Sequence, residues 1–173
     1  MRNTYQLPDK INNFNVYSGK TRLVGVSSEV ELPSFDPLTD TLSVAGMAGE
    51  IESEVVGSFG SMKVKIPFLN MSEDFFAFAA SSAPIILRGS MEVFNTQTQS
   101  KDFVPIAITI KGRTMNIEPG NFKKGGKGEP SITKEITYIK IMINNTTQLE
   151  LDKLNSIFIM GGVDLLQKLK SQI

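Results

Sequence analysis

The chain carries two β-branched runs in its second half, Pro105-Ile-Ala-Ile-Thr-Ile110 and Ile132-Thr-Lys-Glu-Ile-Thr-Tyr-Ile-Lys-Ile-Met-Ile-Asn144. Between them the sequence predicts a turn at residues 111–113, a short extension to Glu118, and a flexible polar loop, Gly120-Asn-Phe-Lys-Lys-Gly-Gly-Lys-Gly-Glu-Pro130. Isoleucine-rich runs of this length favour β-strands. Long strands joined by a flexible loop are difficult to place in a compact enzyme, and they favour a protein that shares its strands in a larger assembly.

The composition narrows the possible functions. A length of 173 residues predicts a single domain, 1–173, that can bury a core of its own. Lys plus Arg and Asp plus Glu number 18 each, so no net charge is available to hold a polyanion and a sequence-specific DNA binder is disfavoured. Cysteine and histidine are absent, which removes the usual zinc ligands, the thiolate nucleophile and the imidazole base.

The chain shows no signal for export or membrane insertion. Residues 1–10 contain no apolar run typical of a signal peptide, and no window approaches the roughly 18 apolar residues of a membrane span. We therefore expect a soluble product of the cytoplasm without a membrane partner.

The first 60 residues are predicted to form two hairpins. The first joins residues 14–17 to an alternating arm, residues 21–32, through a Ser-Gly turn, and Pro33 ends it because proline has no backbone N–H. Residues 33–60 are a long excursion that we interpret as an extended hairpin turning near Gly46 and Gly49. Its apolar content argues against a disordered linker and favours packing against another surface, such as a second copy of the chain.

Residues 72–82 are predicted to form a central helix. Ser72 can cap the first turn, and the two acidic residues that follow it complement the positive end of the helix dipole. Three apolar residues fall on one face at helical spacing: Phe75, Phe78 and Ala79. Phe76 and Ala80 add an apolar flank, so almost no polar face remains. The helix is therefore either buried in its own domain or packed against a neighbouring subunit.

The remaining segments complete a mainly β fold. Strands are predicted at residues 62–68, 85–94, 103–111 and 148–152, and a short C-terminal helix at residues 161–170. Many antiparallel strands with two helices predict an antiparallel β-sandwich or barrel with one central helix and a short C-terminal helix.

No motif points to catalysis, a metal or a cofactor. Glu50, Glu52 and Glu54 are spaced as the wet face of a strand, and Asp36 and Asp40 lack the spacing of a calcium loop. The lysines of the loop at 120–130 are typical of a solvated connector, and phosphate contact through backbone N–H groups is the alternative. We predict no catalytic, metal or cofactor-binding residue and a protein that is not an enzyme.

Short motifs in a fixed order carry a family resemblance. They include Ala45-Gly46-Met47-Ala48-Gly49, Lys111-Gly112-Arg113, Leu149-Glu150-Leu151-Asp152 and Gly162-Val163-Asp164 before a leucine-rich end. In this order and spacing the chain resembles the major tail tube protein of contractile-tailed bacteriophages, the P2-type tube family, over nearly its whole length. The chain resembles the tube proteins of phage-derived contractile bacteriocins in the same way.

The resemblance implies a virion structural protein of the inner tail tube. Six subunits would form a ring by self-assembly, and stacked rings would form a conduit for DNA or for an effector or spike. Implied partners are further copies of the chain, the sheath, the tape-measure and baseplate proteins, and DNA passing without specific binding. The implied location is the virion tail or a tail-like particle, after synthesis in the host bacterial cytoplasm.

By the same analogy the excursion at 33–60 stacks on the adjacent ring. Its candidate contact residues are Leu42, Val44, Met47 and Ile51. Phe76 and Ala80 are candidates for the contact between subunits. The alternative from a different class is a monomeric ligand-binding β-barrel module, although the chain has no Trp and only three Tyr for stacking on a sugar.

Overall fold

The computed structural model describes residues 5–46 and 48–172. The fold is mostly β, with 56% strand and 7% helix, which confirms the predicted antiparallel β class with two short helices. The elements in chain order are β1 Gln6–Ser18, β2 Thr21–Arg22, β3 Pro37–Leu42, β4 Ile51–Phe59, β5 Lys63–Pro67, α1 Glu73–Ala80, β6 Ile85–Asn95, β7 Ser100–Glu118, β8 Ser131–Ile143, β9 Thr146–Asp152, β10 Ile157–Met160, β11 Val163–Asp164 and α2 Gln167–Lys170.

Strand β8 is the centre of a nine-stranded antiparallel sheet. The main path runs β11-β10-β9-β8-β7-β6-β1-β2, and β5 joins it by pairing with β8. β7 occupies one edge of β8 along its length. β5 and β9 divide the other edge, with β5 on residues 131–135 and β9 on residues 138–143. The long isoleucine-rich strand therefore has partners on both sides.

Residues 23–32 carry the chain from β1 across to β5. The Leu23 N–H donates to the Val16 carbonyl at 2.8 Å, and isolated bridges join Val26 to Phe68 and Glu31 to Lys65. The sheet thus curls into a partly closed barrel. The predicted second arm at 21–32 is wrong beyond Arg22, because this segment leaves β1 to reach β5 and cannot continue a regular ladder with β1.

The barrel encloses one apolar core that α1 covers. Alternate residues of the predicted strand at 62–68 all point into it: Met62, Val64, Ile66 and Phe68. The Phe68 ring packs edge-on to Phe75 of the helix, with ring centres 5.3 Å apart. The Ser72 hydroxyl accepts a hydrogen bond from the Phe75 N–H at 3.2 Å, so the predicted N-cap is present.

Strand β7 runs through the residues predicted as a turn. Residues 111–113 are strand, and the pairing with β8 only shifts register between Lys111 and Gly112. At Gly112 an added Cβ would lie 2.0 Å from the Glu135 carbonyl oxygen. Glycine is required here because the backbone of β8 lies so close. The predicted turn at 111–113 is therefore wrong, since a glycine needed for close packing cannot be distinguished in sequence from a glycine needed for a turn.

Gly112→Ala should destabilise the subunit by roughly 1–3 kcal/mol, because backbone atoms must move to accept the methyl group. The measurement is the free energy of urea unfolding. Gly60→Ala is the matched control, since a Cβ at Gly60 meets nothing within 4 Å. Equal stabilities of the two variants would contradict the steric argument.

The C-terminal helix is shorter than predicted. Residues 161–162 form the turn between β10 and β11, and α2 covers only Gln167–Lys170. The Asp164 carboxylate accepts the Leu166 N–H at 3.0 Å, and Leu166 is buried. The prediction began the helix at residue 161, but residues 161–164 form a turn and the short strand β11, and the helix begins only after them.

Candidate assembly surfaces

The described residues hold no cluster suited to metal chemistry. Residues 5–46 and 48–172 contain no group of three or more Asp or Glu side chains that would hold a metal ion, and the chain has no His or Cys. Over the same residues, no helix has the length and apolar character needed to cross a membrane. The features that invite a functional interpretation are surfaces.

The hairpin of β3 and β4 is the first such surface. It is a two-stranded sheet of its own, separate from the nine-stranded sheet. Its base is held to the barrel by Phe59, whose ring centre lies 4.9 Å from that of Phe158 on β10. Large apolar side chains are exposed along the rest of it: Leu38, Leu42, Val44, Ile51, Val55 and Val56. Exposed apolar side chains gathered on one small element are typical of an interaction surface.

The two faces of this hairpin differ in chemistry. Leu42 and Ile51 are direct cross-strand partners, so they share one face, and they are 51% and 55% exposed. Glu52 lies opposite Thr41 and Glu54 opposite Thr39, which places both carboxylates on the other face. Asp40, opposite Ser53, lies on the face of Leu42, so one face is apolar near the turn and the other carries the two glutamates.

The structure brings two of the four predicted stacking residues together. Leu42 and Ile51 are neighbours, and Val44 is exposed in the turn that follows β3. Met47 lies outside the described residues.

Helix α1 leaves its predicted interface residues on the surface. Phe75, Phe78 and Ala79 are buried against the barrel. Phe76 is 54% exposed, with its ring centre 5.1 Å from that of Phe75, and Ala80 is also exposed. The subunit alone does not cover this flank.

The outer edge of β1 is a third surface. Among the described residues, β1 pairs with β6 along its length but with β2 only at Tyr17 and Ser18. Its backbone from Gln6 to Asn15 is therefore a long open edge, with Leu7 and Ile11 exposed on it. Open edges of this length pair readily with another strand.

Lys134 is a buried residue that the sequence interpretation missed. It is 1% exposed, and its Nζ donates to the Phe78 and Ser81 carbonyl oxygens at 3.1 and 2.6 Å. Burial lowers the pKa of this lysine. The cation lies at the C-terminal end of α1, where the helix dipole is negative. Its position between Ile132 and Ile136, on their face of the strand, was the signal in the sequence.

Thr114 of β7 supports the same helix end. Its hydroxyl donates to the Ala79 carbonyl oxygen at 2.7 Å. Side chains of β7 and β8 thus satisfy the carbonyls that the helix leaves free, which fixes α1 on the sheet.

Glu92 is a second buried charged group, and the sequence around it gives no signal of its burial. It is 5% exposed, accepts a hydrogen bond from Asn12 at 3.1 Å, and forms ion pairs with Lys101 and Lys10. Hydrogen bonding from Lys101, and then from Asn12, holds the pKa of this carboxyl below its usual 4.5. The cluster ties β1, β6 and β7 together beside the open edge.

A pH dependence follows from this lowered pKa. A carboxyl whose pKa is lower in the folded state stabilises the fold above its unfolded pKa, and the contribution is lost as the pH falls through the folded pKa. Glu92→Gln should therefore lower the urea midpoint of the dilute subunit at pH 7, and the difference from wild type should shrink on acidification. If the difference in urea midpoint between wild type and Glu92→Gln does not change with pH, the result would contradict a stabilising role for the negative charge of Glu92.

Three surface grooves have volumes of about 270, 550 and 590 Å³. The groove of about 270 Å³ is apolar, with Phe14, Leu87 and Ile106 among its lining residues. The largest lies between the ends of β1 and the β8–β9 hairpin. These grooves are the candidate sites if the chain is a monomeric ligand-binding module.

Comparison with known proteins covers the full length of this fold. A family model described as phage tail tube protein FII matches residues 8–173. The chain belongs to this family. The tail tube protein of Escherichia phage P2 is 23% identical over 172 residues, which span 96% of this chain and 98% of that protein. The major tail tube protein of Serratia phage KSP20 is 24% identical over 160 residues, or 92% of this chain and 91% of that protein.

A solved structure of low sequence identity shares the fold. It is described as the sheath/tube terminator of PVC, an extracellular contractile injection system, in the extended state. The TM-score is 0.52 at 12% identity, and the match covers 79% of this chain and 97% of that one. The resemblance to contractile-phage tail tube proteins predicted from short motifs is confirmed by the family and its curated members.

Proposed function

We propose that this tail tube protein assembles six to a ring and that the rings stack into the hollow inner tube of a contractile tail or tail-like particle. The observation that carries the proposal is the β3–β4 hairpin, whose apolar face is exposed in the isolated subunit. Apolar side chains such as Leu42 and Ile51 gain about 25 cal/mol for each Å² removed from water. A second copy of the chain supplies that cover.

The hairpin is proposed to stack on the adjacent ring. A contact between the hairpin of one subunit and a different surface of the next is heterologous, so it propagates along an axis without closing. A tube of indefinite length needs this property. Leu42, Val44, Met47 and Ile51 remain its proposed contact residues.

Contacts within a ring are proposed to use the open edge of β1 and the exposed flank of α1. Pairing of the edge with a strand of the neighbouring subunit would satisfy its free backbone groups and remove an aggregation-prone edge. Phe76 and Ala80 would lose their exposure against the same neighbour.

The proposed partners outside the tube are the sheath, tape-measure and baseplate proteins. The conduit would pass DNA in a phage, or an effector or spike in a contractile bacteriocin. Neither role requires catalysis or a cofactor, and the zero net charge suits a channel that must not retain DNA.

Negative-stain electron microscopy across a concentration series, with sedimentation velocity on the same samples, tests the proposal. Rings or hollow tubes of uniform width are expected, with the assembled fraction rising with concentration. A monodisperse monomer at every concentration, also in the presence of baseplate components, would contradict it and favour the ligand-binding alternative.

A further inference from the structure

The β3–β4 hairpin carries an unbalanced negative charge. Residues 33–60 contain five carboxylates and neither Lys nor Arg: Asp36, Asp40, Glu50, Glu52 and Glu54. All five side chains belong to exposed residues, and within the described chain none of them forms an ion pair. Because the whole chain is neutral, the rest of it carries a positive charge of equal size.

The loop at 120–130 has the opposite charge. Lys123, Lys124 and Lys127 are exposed and, among the described residues, also lack an ion pair. Phe122 lies beside them and is fully exposed. A fully exposed phenylalanine next to three unpaired lysines has the mixed apolar and basic character that an acidic, apolar hairpin would bind.

The base of this loop is fixed although its tip is free. The Asn121 N–H donates to the Gly128 carbonyl at 2.8 Å, and the Gly128 N–H donates to the Asn70 side-chain oxygen at 3.2 Å. At Gly120 an added Cβ would lie 2.1 Å from the Gly128 carbonyl oxygen, so the two ends of the loop approach each other closely there. The loop thus leaves the barrel at a defined place beside Asn70, which limits the positions open to the tip and reduces the entropy lost on docking.

We propose that the tip of this loop docks on the acidic hairpin of another copy of the chain in the adjacent ring. Lysines of the tip face Glu50, Glu52 and Glu54, and Phe122 contacts the exposed valines that follow Glu54 on β4. This proposal rests on the proposed tube, and it identifies the loop at 120–130 as the surface of the adjacent ring that the hairpin contacts. One exposed ion pair is weak, but the contact recurs at every subunit of every ring, so its effect on assembly multiplies.

Charge reversal tests the pairing. The loop variant K123E/K124E/K127E and the hairpin variant E50K/E52K/E54K should each shorten the tubes at least tenfold, and the variant that carries all six changes should regain long tubes. Tube length is measured by electron microscopy and the assembled fraction by sedimentation. Lys20, Lys63 and Lys168, all exposed, give the matched control K20E/K63E/K168E, which should assemble like wild type.

The outcomes separate this inference from the proposed function. A loop variant with tubes as long as those of wild type would overturn the docking but not the proposed tube. The docking would also be overturned if the variant with all six changes fails to regain long tubes, although circular dichroism shows that the loop variant and the hairpin variant are each folded. A loop variant that keeps its tubes but loses retention of single-stranded DNA in a filter assay would assign the lysines to nucleic acid. A wild-type chain that never assembles would overturn both proposals.

Discussion

Leu42→Asp should give a folded subunit that no longer forms long tubes. The substitution removes roughly 1.5–3 kcal/mol of apolar transfer energy at each contact and leaves a carboxylate to be buried without a partner. Each 1.4 kcal/mol lowers an association constant about tenfold, so the ring-to-ring constant should fall by at least that factor. Leu42 is half-exposed in the subunit, so the fold itself should be little affected.

The control for this prediction lies on the neighbouring residue. Thr41→Asp adds the same charge to the opposite, acidic face of the same hairpin. Because its added carboxylate faces the lysines of the proposed docking loop, this variant should stack at least as well as wild type. Long tubes from Leu42→Asp would show that the apolar face does not form the ring contact, and loss of tubes from both variants would assign the effect to added charge.

Lys134→Ala should destabilise the subunit by roughly 2–5 kcal/mol. The change removes the lysine donor of the Ser81 carbonyl, leaves the Phe78 carbonyl with only the Ser81 N–H, and opens a cavity under the helix. The free energy of urea unfolding is best measured in the Leu42→Asp background, where assembly does not add to the apparent stability.

Two further variants divide this effect into its parts. Lys134→Met keeps most of the volume and removes only the donor, so its loss should be smaller than that of Lys134→Ala. Thr114→Val removes the third donor at the same helix end, the hydroxyl that binds the Ala79 carbonyl. A change below about 0.5 kcal/mol for Lys134→Ala, the range of ordinary surface substitutions, would contradict a capping role.

The sequence predicted well where one local rule acts alone. The strand at 62–68 alternates strictly, and all four of its apolar residues are buried. Ser72 followed by two acidic residues marks a helix start, and the cap is present.

Prediction failed where a distant segment decides the local structure. Residues 23–32 alternate like a strand but leave β1 for the β5 region because their bridge partners, Phe68 for Val26 and Lys65 for Glu31, are distant in the sequence. Gly112 resembles a turn glycine because the close approach of Glu135 is invisible in sequence. Glu92 resembles a surface charge until its partners on other strands are known, and the face that Lys134 shares with two isoleucines does not reveal its partners on the helix.

For the assembly surfaces, the sequence indicated the elements but not their faces. It singled out the excursion at 33–60 because a solvated linker would not need so many apolar residues. Only the cross-strand register shows that Leu42 and Ile51 share a face and that the glutamates occupy the other. Likewise, the predicted hairpin arm at 14–17 covered only the end of β1, and the open edge is seen only from the full strand and its position in the sheet.

The anchoring of the hairpin to β10 has a consequence for biosynthesis. Phe59 is made long before Phe158, the aromatic ring against which it packs. At about 5–20 residues per second, the ribosome needs roughly 5–20 s to add the intervening chain. Throughout that interval the nascent polypeptide displays an apolar hairpin whose base has no support, and neighbouring ribosomes on one message display the same element. We expect this tail tube protein to depend on a holding chaperone during translation more than its final stability would indicate.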